Sequence, residues 1–138
     1  AYIAVIGSFD DNSIVAVIFS FVVLFWVSGF DIIYALQDED FDKSLGLNSI
    51  PASLGKKQAL MLSNFLHAIS ASLVIFAGYK AEAGIYYWVG CGIFIFLLTY
   101  QHFLVKPNDL SKVDLAFFTT NGVASTIFGI FVITDLLV

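Results

Sequence analysis

Residues 31–42, DIIYALQDEDFD, place five acidic side chains, Asp31, Asp38, Glu39, Asp40 and Asp42, within twelve positions. A helix turns about 100° per residue. Asp38 then lies about 20° to one side of Asp31, Asp42 about 20° to the other, and Tyr34 about 60° off the same line. Three carboxylates and a phenol form one stripe roughly 16 Å long, provided the helix runs unbroken through Asp42. Glu39 falls on the flank and Asp40 on the opposite face. As bare ions at i and i+4, Asp38 and Asp42 repel each other. A divalent cation between them reverses the sign, and D-x-x-x-D suits Mg²⁺, which takes one or two carboxylates alongside phosphate oxygens and water. Glu39 and Asp40 read as a solvated charge run. Asp31 does not, because it sits at least a turn inside an apolar run. A carboxylate costs several kcal/mol there and marks a functional site by default.

The element that must carry this stripe begins with SIVAVIFSFVVLFWVSGF at residues 13–30. The chain is 59% hydrophobic and 12% charged, with a mean hydropathy of +0.92. Soluble domains carry about 25% charged residues. Four windows, roughly 13–37, 58–78, 85–105 and 114–138, are each long enough to cross a bilayer, which takes about 20 apolar residues. AYIAVIGSF, at residues 1–9, reads as the tail of a fifth span. The fold class expected is therefore all-α, a multi-span transmembrane bundle in which helices satisfy the backbone within lipid. The chain opens on Ala without a charged n-region, which suggests a piece of a longer membrane protein.

Punctuation and charge orient the spans. DDNS at 10–13 supplies N-cap residues. Gly46, Asn48 and Pro51 break the first span, and PASLG should form a short interfacial helix ended by Gly55. Lys56 and Lys57 then anchor the second span at the headgroups. GYKAEAG is a tight outer turn, followed by Tyr86, Tyr87 and Trp88 as an aromatic belt. Ser111 and Asp114 have capping-box spacing. Five of the six lysines lie in the loops after the first and third spans and only Lys80 lies opposite, so the acidic stretch and KPNDLSK (106–112) should face the cytoplasm. Cys91, between Gly90 and Gly92, has no partner for a disulfide and suits helix packing. The net charge of −5 and the lack of a basic cluster exclude nucleic acid as a partner.

The motif D-x-x-Y-A-x-x-D-x-x-x-D-K-x-x-G-x-x-S is met here by Asp31, Tyr34, Ala35, Asp38, Asp42, Lys43, Gly46 and Ser49. It resembles the second aspartate-rich motif of the UbiA family of intramembrane prenyltransferases. LSNFLHAIS (62–70) and YQHFLVKPNDLSKVDLAFFTTNGVAS (100–125) also resemble that family. They are most similar to its bacterial quinone-biosynthesis branch, which includes 4-hydroxybenzoate polyprenyltransferases and the naphthoate prenyltransferase MqnP. Family members have about nine spans and a first motif N-D-x-x-D-x-x-x-D that does not occur here. The resemblance thus implies that residues 1–138 are the C-terminal portion of one transmembrane domain, with the N-terminal half of the same enzyme as a partner.

The resemblance also implies a chemistry. The donor is a polyprenyl diphosphate, the acceptor an aromatic acid, the cofactor Mg²⁺, and the place a bacterial inner membrane. Asp38 and Asp42 would hold the metal, Tyr34 would donate to a phosphate oxygen, and Lys43 would add positive charge. Asp31 could hydrogen-bond near Tyr34, ligate metal, or steady an allylic cation. Most of the fifteen phenylalanines should meet lipid, with some lining a prenyl tunnel. His67, on one helix face with Ser63 and Ser70, reads first as a packing contact within the bundle. His102, Asn121 and the KPNDLSK loop are open between packing and substrate contact, with Asn121 a candidate substrate-binding residue. A channel or transporter with an intramembrane carboxylate path is the competing class. It requires polar groups through several spans, whereas here they concentrate at one end. Cysteines introduced at 48 and 108 in a Cys91→Ser background should resist impermeant label applied outside intact cells, while one at 81 should react. Strong labelling at 48 would overturn the orientation.

Overall fold

The computed structural model describes residues 13–138, and the apolar tail and DDNS loop expected in residues 1–12 lie outside them. The described chain is helical throughout: α1 (Ser13–Ala35), a 3₁₀ turn (Leu36–Asp38), α2 (Glu39–Ser44), α3 (Ile50–Leu54), α4 (Lys56–Lys80), α5 (Ile85–Leu104), a π-helical segment (Leu115–Thr120) and α6 (Asn121–Leu137). Four stretches are long and apolar enough to span a membrane: Ser13–Ser44, Lys56–Lys80, Ile85–Leu104 and Leu115–Leu137. The all-α multi-span architecture is as expected.

Apolar surface alone gives membrane helices no reason to choose one neighbour over another, because lipid is as apolar as Leu. Here α4 selects α1 by hydrogen bonds. Ser63 Oγ donates to the carbonyl of Gly29 (2.7 Å), His67 Nε2 to that of Trp26 (3.0 Å), and Ser70 Oγ to that of Val22 (3.0 Å). As α4 advances α1 recedes, so one antiparallel register satisfies all three. All three side chains are buried. The packing role expected for His67 and its serines holds, and the partner is backbone. Gly29 permits the approach, since a Cβ there would fall onto the imidazole of His67.

The ends of α5 and α6 away from the acidic segment are joined differently. Asp135, near the end of α6, accepts from the amides of Gly84 (2.8 Å) and Tyr87 (3.1 Å). These amides at the start of α5 have no intrahelical acceptor, so Asp135 caps α5 from another helix. Gly84 is needed because a Cβ would stand 2.7 Å from the Asp135 carboxylate. Tyr87, expected in an interfacial belt, is buried instead, its hydroxyl donating to the Val74 carbonyl at 2.7 Å. The register of α5 on α4 turns it inward and leaves Tyr86 exposed. Cys91 packs in the core as expected. Gly90 lets Phe131 approach, whereas Gly92 faces open space.

At the other end Ser49 caps α3, accepting from Ala52 N, and Pro51 occupies its first turn. Gly55 ends it at φ 82°, a conformation natural to glycine. The expected short helix is thus present. The capping box is not. Ser111 donates its hydroxyl (2.6 Å) and amide (3.1 Å) to Asp109, and Asp114 instead accepts from Gln37. A carboxylate two residues back reaches that amide with less chain to order. The same bonds from Ser111 hold the Asp109 carboxyl below the usual range. In the π-helical segment Thr120 Oγ1 reaches back five residues to Leu115 O (3.4 Å).

The glycines yield a paired test. Gly29→Ala forces a methyl into His67 and should cost about 1–3 kcal/mol, as overpacking does. Gly92→Ala meets open space and should be neutral or stabilising by up to about 1 kcal/mol. Melting in detergent micelles would distinguish the two.

Candidate functional site

Ile32 and Ile33 of α1 and Leu36 of the 3₁₀ turn form a buried flank with Ala59, Leu60, Val105, Val113 and Ala116. This cluster supports the acidic segment from beneath. The unbroken helix expected through Asp42 is not observed, since α1 stops at Ala35 and a 3₁₀ turn intervenes. Three residues at 120° rather than 100° rotate everything beyond by about 60°. The reason lies in two positions. In a 3₁₀ turn side chains at i and i+3 eclipse, and here Leu36 (0% exposed) and Glu39 (4%) both point inward. The solvated charge run expected for Glu39 is therefore wrong: it is the one buried acid among the described residues.

Glu39 is buried because it gathers the local cations. Its Oε1 lies 2.7 Å from Lys43 Nζ and its Oε2 3.3 Å from Lys56 Nζ. Lys56, expected as a headgroup anchor, thereby ties α4 to α2. Asp40 is 90% exposed, 3.9 Å from the same lysine. Asp31, Asp38 and Asp42, by contrast, have no cation and no side-chain hydrogen bond among the described residues. One acid takes both lysines, and the carboxylates of the stripe stay free.

Those free carboxylates suit a divalent cation. Among the described residues no three His, Cys, Asp or Glu side chains converge on one point. Asp38 and Asp42 can therefore supply two of the six ligands Mg²⁺ takes, with phosphate oxygens and water for the rest. Two carboxylates are chemically compatible with Mg²⁺ but do not by themselves complete its shell.

Tyr34 is positioned by aromatic packing. Its ring lies 4.6 Å from that of Phe117, which also meets Phe30 edge-on at 6.3 Å. Phe117 belongs to the π-helical segment, and such wide turns are frequent at functional sites. Tyr34 remains partly exposed, and its hydroxyl has no partner among the described residues. Asn121, half-buried, opens α6 four residues beyond Phe117. Lys43 keeps half its side chain exposed while paired to Glu39.

Asp31 is exposed and faces a different space from Tyr34. With Ser28 it lines a cavity of about 590 Å³ between α1, α3 and α4, otherwise walled by residues such as Leu24, Phe25, Pro51 and Leu66. The stripe thus divides: a carboxylate at an apolar cavity, a phenol beside an aromatic cluster, and two carboxylates beyond the turn. His67 is not at this site. Its Nε2–H is committed to Trp26 O, so its Nδ1 accepts, and both Gln101 Nε2 and His102 Nε2 lie 2.8 Å away. Sequence reasoning missed Glu39, Gln37 and Phe117. The signal for Glu39 was available in its spacing of four from Lys43. Gln37, which donates to Asp114 at 3.1 Å, and Phe117 depend on contacts across some eighty residues that no local pattern carries.

The UbiA prenyltransferase family matches residues 1–123. Among curated proteins, the 4-hydroxybenzoate octaprenyltransferase of Xanthomonas euvesicatoria pv. vesicatoria is 27% identical over 105 residues, covering 76% of this chain and 35% of that enzyme. The protein described in the same words from Shewanella sp. (strain W3-18-1) is 31% identical over 106 residues, 75% of this chain and 36% of its own. That of Aliivibrio fischeri is 28% identical over the same shares. The chain thus matches about a third of the length of these relatives. No solved structure matches. A family match that runs through the whole acidic segment and three of the four spans agrees with the geometry of the site, and the chain belongs to the UbiA prenyltransferase family.

Proposed function

We propose that the protein to which this chain belongs transfers a polyprenyl group from an allylic diphosphate to an aromatic acid, in a Mg²⁺-dependent reaction of quinone biosynthesis. 4-Hydroxybenzoate and a dihydroxynaphthoate are the acceptors the reading favours, and a bacterial inner membrane with the acidic segment cytoplasmic is the location. The observation that carries this is the sorting of charge, with both nearby lysines on Glu39 and none on Asp31, Asp38 or Asp42. Anionic groups left without cations at a membrane surface suit a substrate that arrives with metal.

Bound Mg²⁺ would neutralise the diphosphate and make it a better leaving group. Asp38 and Asp42 hold their share of that charge at the cytoplasmic end. The Tyr34 hydroxyl, its ring fixed by Phe117, donates to a phosphate oxygen, and Lys43 adds a cation that Glu39 keeps in place. Asp31, at the mouth of the apolar cavity, places negative charge where the allylic carbon becomes cationic. The C–O bond to diphosphate breaks with both electrons leaving on oxygen. The ring carbon beside the phenol bonds to the allylic carbon, and the ring then loses its proton. Asn121 is placed to contact substrate from α6. The polar groups deeper in the bundle are spent on α1 carbonyls, which argues against a channel path.

Two results follow. In the full-length enzyme, Asp38→Ala or Asp42→Ala should lower prenyl transfer by at least about a hundredfold, roughly 2.7 kcal/mol of lost charge stabilisation. Asp40→Ala, at an exposed position, should keep most activity, and equal losses at 38, 40 and 42 would instead indicate a nonspecific acidic patch. Residues 1–138 expressed alone in membranes should show no transfer, because two carboxylates leave most of the Mg²⁺ shell unfilled. Co-expression with an N-terminal half carrying the first motif should restore activity. Robust turnover by the isolated chain would defeat the shared-site reading.

A further inference from the structure

Consecutive lysines at the start of α4 part company. Lys56 turns to Glu39, while Lys57 lines a separate cavity of about 250 Å³ between the cytoplasmic ends of α4 and α5, together with Asn64, His102 and Lys106. Neither Lys57 nor Lys106 has an ion-pair partner within 4.0 Å among the described residues. Asp109 pairs with Lys106 through two backbone hydrogen bonds and feels its charge, but its carboxylate accepts from Ser111 and makes no ion pair with the lysine. This cavity shares Asn64 and His102 with a second one, about 270 Å³, farther along the same groove. The walls of the second add Ala68, Ala71, Ile95 and Leu98 to the ring of His67 and to Thr99, whose polar atoms bond Trp26, His102 and Ile95 within the bundle, so the surface they leave to the groove is mainly apolar. Exposed Met61 and Phe65 flank it on α4.

We infer that this α4–α5 groove is a binding site for one anionic phospholipid of the cytoplasmic leaflet, with its phosphate between Lys57 and Lys106 and an acyl chain along Ala68 and Leu98. The order of the groove carries the inference. It has lysines at one end, hydrogen-bonding groups (Asn64, His102) beyond them, and a mainly apolar stretch after that, an order that matches phosphate, glycerol esters and acyl chain. Basic pockets between spans on the cytoplasmic side bind anionic headgroups in this manner. A free phosphate would use the lysines but leave the apolar channel empty, and a zwitterionic lipid would fill the channel but bring a second positive charge to the lysines. The site is distinct from the acidic segment: it uses the face of α4 bearing residues 57, 61, 64 and 68, with the ring of His67 at its edge, whereas Ser63 and Ser70 face α1.

The test is native mass spectrometry of the purified full-length protein titrated with dioleoyl phosphatidylglycerol, dioleoyl phosphatidylcholine or inorganic phosphate. One phosphatidylglycerol adduct should form at low concentration and survive excess inorganic phosphate, and phosphatidylcholine should bind more weakly. A basic side chain near an anionic surface is worth about fivefold in affinity, so Lys57→Gln with Lys106→Gln should weaken that adduct about thirtyfold. Lys80→Gln, at the opposite end, should leave it unchanged. Ala68→Phe blocks the channel without touching charge and should also remove the adduct. Displacement by phosphate, equal binding of phosphatidylcholine, or an adduct that persists in either the lysine pair variant or Ala68→Phe would overturn the assignment.

Discussion

In a medium without water, a helix face that offers hydrogen bonds must find them in another helix, and the α1–α4 pair is built on that need. Three side chains of α4 donate to three carbonyls of α1, each already part of its own helix. Such carbonyls have a second lone pair to share. The pairing sets depth as well as neighbour, because a slip of one turn would leave buried donors unsatisfied. Gly29 brings the backbones close enough for the imidazole to reach. Everything at the acidic end inherits its place from this register. Lys56 meets Glu39 only because α4 starts at that level.

The second constraint is electrostatic. Five acidic groups within twelve residues would repel one another, and the chain responds by separating them. The 3₁₀ turn swings Glu39 inward beside Leu36, where it draws Lys43 and Lys56 to itself. The desolvation of Glu39 is offset by two cations, and the remaining carboxylates keep their capacity for an incoming charge. The helix that seemed to want continuity is broken where a charge had to be turned. Gln37 bonds Asp114 from the same turn, so the break also ties the acidic segment to the base of the last span.

The far end obeys related rules. Asp135 caps α5 from α6, and Tyr87 spends its hydroxyl on the Val74 carbonyl. These bonds join α4, α5 and α6 at the end away from the acidic segment, while Ile32, Leu36, Val105 and Val113 join the spans at the other. The bundle is therefore held at both ends and is least constrained along the outer flanks of α4 and α5, where the groove opens.

The four spans among the described residues were legible in the sequence, because length and hydropathy alone decide whether a segment can cross a bilayer. The sequence by itself also determined Pro51 and Gly55 as the marks of the short helix, since such signals act within four residues, while the cap by Ser49 came from the structure. The stripe residues and the family motif were legible for the same reason, being local patterns on one stretch of chain. Tertiary structure alone decided that Glu39 is buried, that Tyr87 leaves the interface, that Asp114 serves Gln37 rather than Ser111, and that the helix tightens before Asp38. Apart from the local pair of Glu39 with Lys43, these outcomes involve groups brought near from another segment, and periodicity records which face is apolar without recording what that face will meet.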